Sequence, residues 1–451
     1  MAGELSRESP VAGPTSLATL AHPRAAAFWL AVIVTGAGTG GSAIALTRLL
    51  EAVQRLAWPA APGILEAAAR GSAARHLMVL AAAGLLTAVG HLLLGRLTSG
   101  NGIETTTAIW FMAGRVPGLR TLGSAVLSVI VVGMGASLGR EGAPKQAGAV
   151  LANVLSDRAR FSDEQRRLLV ACGAGAGLAA AYGVPVGGAL FAIEVMRGVL
   201  ALRMVLPALV AAVVATVVAR LALPDSPTYL VPAYPASASL LVWAAVAGPI
   251  AGCAAVAFVR LIARADRAKP RGLGRFFAPI FAAAALGGLS ILFPQLLGNG
   301  HDVTQLAIAG QVAMPLLVIL LFLKPAATIG CLGSGIPGGL LTPSLTVGAM
   351  LGGALGSAWS WWWPGVAPGA CALIGAGAFL AATTQGPLSA TVLLMELTGQ
   401  SRGLMLPLLL AVATATLISR TLDVRSIYDA RLSEQQLRER QRLREQPPGS
   451  G

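Results

Sequence analysis

Residues 240–259, LLVWAAVAGPIAGCAAVAFV, are twenty consecutive positions without a charge. About 20 apolar residues cross the hydrocarbon core of a bilayer as a helix. Inside lipid a chain satisfies its backbone only as a helix or a closed barrel. Residues 276–297, 121–138 and 404–419 are uncharged as well, and a further apolar run covers 28–47. At least ten apolar segments can be counted, several too short or too glycine-rich to cross as one straight helix. Charged residues make up 12% of the chain, against about 25% in a soluble domain. The pattern predicts an all-α polytopic membrane protein. Residues 1–24 are polar and contain prolines, and no clear cleavage site follows the run at 28–47, so no cleaved signal peptide is expected.

The net charge of +14 does not point to nucleic acid, because the bases are confined to short loops and the C-terminal end. Arg158, Arg160, Arg166 and Arg167 form one group, residues 260–275 a second and residues 425–444 a third. Cytoplasmic loops are enriched in this way, which places the 156–167 loop, the 260–275 loop and both termini in the cytoplasm. Cys172, Cys253, Cys331 and Cys371 are scattered in apolar contexts and read as small buried residues. His22, His76, His91 and His301 lack zinc-protease spacing. No metal site, no cofactor and no enzymatic chemistry is expected, since no Ser/His pair shares a helical face.

An internal repeat organises the apolar segments. GAGAGLAAAYGVPVGGALFAIE at 173–194 aligns without a gap on GAGAFLAATTQGPLSATVLLME at 375–396, the offset running from Leu178 to Leu380, Pro185 to Pro387 and Glu194 to Glu396. Upstream, GREGAP at 139–144 pairs with GGLLTP at 338–343. The reading is an N-terminal segment (1–25), a first membrane repeat (26–222), a linker (223–238), a second repeat (239–422) and a tail (423–451). Repeated halves with broken helices are a common transporter design, with the substrate held where helix ends meet near the midplane.

Three glycine-rich breaks interrupt the apolar pattern: SGNGIE (99–104), GREGAP (139–144) and SGIPGGLLTP (334–343). Each precedes a helix start, which leaves N–H groups unpaired and carries partial positive charge. Several such ends aimed at one point form an anion site. Glycine alternatively serves only close helix packing. Arg140, Glu141 and Lys145 sit in the second break, and ionisable groups at membrane depth mark working sites by default.

These residues resemble the CLC family of chloride channels and proton-coupled halide antiporters. GREGA (139–143) is similar to its GREGP motif, GGLLTP (338–343) to its GxFxP motif and GNGIE (100–104) to its GSGIP motif. Tyr428 in SIYDARL resembles its central tyrosine. The resemblance implies a CLC-type inverted repeat of broken and tilted helices. It implies a homodimer in the bilayer, with one anion pathway per subunit, in a bacterial-type inner membrane. Glu141 would be the gating and proton-transfer group. Asn101, Gly102, Ile103, Gly142, Leu340, Leu341, Thr342 and Tyr428 would face the anion, and Arg140 and Lys145 would support it or pair with carboxylates.

The chain also departs from that pattern. Asn101 replaces the family's serine, Ala143 the proline of GREGP and Leu341 the phenylalanine of GxFxP. Val195 stands beside Glu194 where chloride/proton antiporters carry an inner proton-transfer glutamate. These departures resemble the fluoride/proton antiporter branch. A small, strongly hydrated ion needs strong donors, which the Asn101 amide and Thr342 hydroxyl supply. The expected function is therefore fluoride export coupled to protons, with a chloride/proton antiporter or passive chloride channel as the alternative. Glu194 and Glu396 are expected to be structural. Residues 430–447 alternate charge at helical spacing and read as a solvated helix without separate function, with no room for the paired nucleotide-binding domains of many relatives.

Overall fold

The computed structural model describes residues 23–97, 104–198, 201–235, 237–399, 403–430, 432 and 434–445. Within them the architecture is all-helical. The first half contains α1 (Pro23–Ala57), α2 (Ile64–Ala69), α3 (Ala73–Leu97), α4 (Thr105–Phe111), α5 (Gly118–Gly133), α6 (Gly142–Arg158), α7 (Asp163–Tyr182), α8 (Pro185–Leu190) and α9 (Leu202–Arg220). A π-helical turn, Phe191–Arg197, extends α8. The second half contains α10 (Ala238–Arg267), α11 (Gly274–Leu292), α12 (His301–Ile308), α13 (Met314–Ser334), α14 (Leu341–Trp359), α15 (Pro368–Thr384), α16 (Pro387–Thr398) and α17 (Met405–Leu422). A last helix, α18 (Glu434–Glu445), closes the described chain. Among the described residues seven helices are long and apolar enough to cross a membrane, and three shorter apolar ones accompany them, in keeping with the mixture of long and interrupted apolar segments in the sequence.

The helix order from α3 to α9 recurs from α11 to α17, and the repeat carries into the packing. α6 packs on α7 as α14 packs on α15, and α9 packs on α1 as α17 packs on α10. The GAGA runs lie in α7 and α15, which are almost wholly buried. There Gly173 faces the backbone of Gly148, and Gly375 that of Gly348. Close helix approach explains those glycines.

The two halves meet through elements that correspond in the repeat, α3 against α11 and α8 against α16. Glu194, after α8, accepts from the amides of Leu388 (3.1 Å) and Ser389 (2.6 Å) at the start of α16. Glu396, in α16, accepts from Val186 (3.0 Å) and Gly187 (2.6 Å) at the start of α8. Each half therefore caps the other's helix with the same residue, as a two-fold relation between halves requires. A carboxylate at a helix start satisfies orphan donors and the helix dipole together.

Two expectations are corrected here. Cys253 is exposed on α10, whereas Cys172, Cys331 and Cys371 are buried. The C-terminal helix is not merely solvated: Arg440 is 1% exposed, lies over the Trp110 ring at 4.9 Å, pairs with Asp429 and donates to the Val195 carbonyl at 3.2 Å. Helical charge spacing identified the helix but could not reveal a partner 245 positions away.

Candidate functional site

Two of the three glycine breaks come together at the centre of the molecule. α5 ends before Gly135, whose φ of +113° is left-handed, and α13 ends before Gly335, at +101°. Glycine adopts this region without steric cost, which lets both chains turn sharply out of helix. The segments that follow pair with each other: Gly139 N–H donates to Gly339 O (2.8 Å) and Gly339 N–H to Gly139 O (2.7 Å). This antiparallel bridge brings the starts of α6 and α14 face to face.

Glu141 stands at the N-cap of α6 but makes no side-chain cap for its own helix. Its carboxylate crosses to α14. Oε1 accepts from the amides of Leu341 (2.7 Å) and Thr342 (3.4 Å), and Oε2 from the Thr342 hydroxyl (3.0 Å). Because that hydroxyl donates to the carboxylate, the Tyr182 hydroxyl, 2.9 Å away, donates to it in turn. Glu141 is fully buried. A negative charge there is held by oriented helix-start donors in the manner of a bound anion. A Cβ on either Gly139 or Gly339 would collide with the carboxylate oxygens. The bridge glycines thus leave the space the side chain fills.

Most of the residues singled out in the sequence converge on this point. The donor amides are those of Leu341 and Thr342; Leu340 precedes them as the N-cap of α14. Tyr428 is buried, with its segment tied down by Ile427 N–H to Thr383 O (2.7 Å) and by Ser426 Oγ to Asp429 (2.8 Å). Lys145, one turn into α6 and 7% exposed, donates to the Tyr428 hydroxyl at 3.4 Å. Arg140 lies over the Tyr182 ring at 5.4 Å. Asn101, Gly102 and Ile103 lie outside the described residues; Glu104, which follows them, is the N-cap of α4. Two participants went unnoticed in the sequence, Tyr182 and Arg440. Tyr182 does carry a signal, since a large polar ring interrupts an alanine run where the repeat places Thr384.

A cavity of about 590 Å³ leads to the site. Gly142, Leu340, Lys145 and Tyr428 line its buried end, with Glu104 beside them, and Arg267, Arg271 and Arg275 line its exposed end. Such a mouth raises the local concentration of anions. Val195 is buried and contacts Arg440 through its carbonyl, and Glu194 is occupied with capping α16. Among the described residues no group of three His, Cys, Asp or Glu is placed to hold a metal ion.

A family model described as voltage gated chloride channel matches residues 80–420. A protein named voltage-gated ClC-type chloride channel ClcB, from Citrobacter koseri, is 32% identical over 324 residues, covering 70% of this chain and 76% of that one. A putative chloride channel protein ClcB-like, from Ralstonia nicotianae, is 34% identical over 310 residues, covering 67% and 72%. Among solved structures, a slow cyanobacterial Cl−/H+ antiporter superposes with a TM-score of 0.78 at 24% identity, covering 93% of this chain and 99% of that one. A CLC-type fluoride/proton antiporter superposes at 0.74 and 20% identity with the same coverage. At these identities the structural likeness speaks for the fold.

Proposed function

The chain belongs to the voltage-gated chloride channel (CLC) family, and on that premise we propose that it exchanges a halide for protons across a membrane, as a transporter and not an enzyme. The observation that carries the reading is the Glu141 carboxylate seated on the Leu341 amide at 2.7 Å. An anion and this side chain compete for one set of donors, and protonation weakens the side chain's claim. One group that releases the seat when it takes up a proton couples the two movements. The membrane is a bacterial-type inner membrane with both chain termini cytoplasmic, so the basic loop of residues 260–275 opens the cavity to the cytoplasm. The working form is a homodimer with a pathway in each subunit.

For the halide, chloride is the reading supported by the sequence relatives, whose names are those of chloride channels. Fluoride export is the second reading. It is favoured by the Thr342 hydroxyl standing in the seat at 3.0 Å from Glu141 and by Asn101 in place of the family's serine. Both give hydrogen-bond donors to a small, strongly hydrated ion.

Flux from proteoliposomes, followed with halide-selective electrodes and a pH electrode, tests all of this. Halide efflux that drives protons inward supports the exchange; halide movement without protons overturns it. Equal rates for chloride and fluoride would overturn both assignments of selectivity. Asn101→Ser should move the preference toward chloride.

A further inference from the structure

We propose that His301 and Asp302 form a proton-holding pair on the face opposite the basic cavity, and that this pair supplies the protons taken up by Glu141. The inference rests on the halide/proton exchange reading and deepens it.

The pair occupies the second-half mate of a glycine break. GNGIE at 100–104 recurs as GNGHD at 298–302, so Glu104 at the start of α4 is answered by Asp302 in the first turn of α12. α13 follows α12, and its far end, Ser334 and Gly335, lines the basic cavity. α13 has 21 residues. A helix of that length is about 30 Å long, which puts α12 on the other side of the molecule. There the His301 and Asp302 side chains are 34% and 26% exposed.

Hydrogen bonding fixes the proton count of the pair. His301 Nε2 lies 3.0 Å from the Thr228 carbonyl oxygen. That oxygen only accepts, so Nε2 carries a proton. Nδ1 lies 3.1 Å from Asp302 Oδ1, and a bond between them needs a proton on one atom or the other. Asp302 Oδ2 accepts from the Leu65 amide at 2.9 Å. Whichever atom holds it, the pair has one proton more than a neutral imidazole beside a carboxylate. An imidazole is the side chain that gains and loses a proton near neutral pH. Tyr229 stacks on the His301 ring at 5.0 Å, and the Tyr234 hydroxyl is bonded to the Ile308 carbonyl of α12. Arg140 and Lys324 are the cations that interact with Asp302 electrostatically. On α2, Glu66 pairs with Arg70. α14 and α15, which pack on α12, bring no ionisable side chain except Cys371.

Glu141 is fully buried, so its protons arrive through other groups. Its Oε2 ends an oriented chain, in which the Tyr182 hydroxyl donates to that of Thr342 (2.9 Å) and Thr342 to the carboxylate (3.0 Å). Thr228 ties Tyr182 to the pair: its hydroxyl donates to the Tyr182 carbonyl (3.4 Å) and its own carbonyl accepts from His301. Arg140, over the Tyr182 ring, acts on both Tyr182 and Asp302, so the two lie within reach of one guanidinium. A proton passed by water from the pair to the Tyr182 oxygen moves two others on, that of Tyr182 to Thr342 and that of Thr342 to Glu141. One proton leaves the pair and one reaches the carboxylate, and the solution on that face refills the pair.

Chloride efflux and proton uptake, recorded together from proteoliposomes, test this. His301→Gln keeps an amide donor for the Thr228 carbonyl but cannot hold the proton. It should slow proton-coupled efflux about tenfold. In the Glu141→Gln background halide moves without protons, and there His301→Gln should leave the efflux rate as it is. Coupled efflux at the wild-type rate in His301→Gln overturns the proposal. Equal slowing in both backgrounds overturns it too, since the pair would then only hold α12, α2 and the Thr228 segment together. Absence of coupled flux in wild type would instead overturn the exchange reading. If the glutamine variant does not run as a single species in gel filtration, Asp302→Asn decides by the same two comparisons, because the asparagine carbonyl still accepts from Leu65 or His301 but carries no charge to hold a proton.

Discussion

The Glu141 carboxylate and the Leu341 amide are 200 positions apart in the chain and 2.7 Å apart in the fold. Each belongs to a glycine break at the matching position of one of the two halves. The contact exists because the Gly139–Gly339 bridge fastens the breaks together.

Glu141→Gln removes the titrating proton at nearly constant volume. The amide keeps an acceptor for Leu341 N–H, so folding and halide movement should persist while proton movement falls to background. Parallel halide and pH recordings from proteoliposomes check this. Proton-coupled flux in the variant would remove Glu141 from its assigned role.

Gly339→Ala should displace the carboxylate, since the three atoms nearest to the added Cβ all belong to Glu141. Overpacking of a filled site costs about 1–3 kcal/mol. The same substitution in a Glu141→Ala background should cost little, giving a coupling comparable to the single-site loss. Thermal unfolding of the four proteins in detergent measures it. Equal destabilisation with and without Glu141 would show that the strain lies in the backbone.

Glu194→Ala and Glu396→Ala should each cost about 1–2 kcal/mol, the magnitude of a lost helix cap, because they remove the reciprocal bonds to α16 and α8. The proton-to-halide ratio should not change in either. A changed ratio in the Glu194 variant alone would restore that residue to the proton path.

Arg440→Ala leaves Asp429 buried without its partner; both side chains are 2% exposed. Breaking a buried pair from one side costs about 3–5 kcal/mol. Asp429 directly follows Tyr428, so transport should fall as well. The paired replacement Asp429→Leu with Arg440→Met should recover most of the stability. A stable Arg440→Ala protein with normal flux would mean that α18 does not hold the tyrosine segment.

Arg271→Gln, at the exposed end of the cavity, should slow halide uptake into the pathway at low ionic strength and leave it unchanged near 1 M salt. Screening shortens the reach of a surface charge to about 3 Å there. A loss independent of salt would point to a contact instead of steering.

The amino-acid sequence by itself determined the membrane-spanning class, the duplication and most of the residues that the structure gathers around Glu141. Those rest on local facts: uncharged runs long enough for lipid, an offset that preserves Pro185 with Pro387 and Glu194 with Glu396, and charges placed among glycines where lipid would exclude them. Even the structural role of Glu194 was legible, through its mate in the second half. Tertiary structure alone decided which atoms meet. The choice of Leu341 and Thr342 as donors, the Tyr182 link to Thr342, the placing of Lys145 over the Phe191 and Tyr428 rings and the burial of Arg440 all depend on how the halves and the C-terminal tail pack. The physical reason is range. Hydropathy and helix-breaking act over a few residues of chain, whereas hydrogen bonds and ion pairs at the site join residues far apart in the chain that only the packing of the halves and the tail brings within bonding distance.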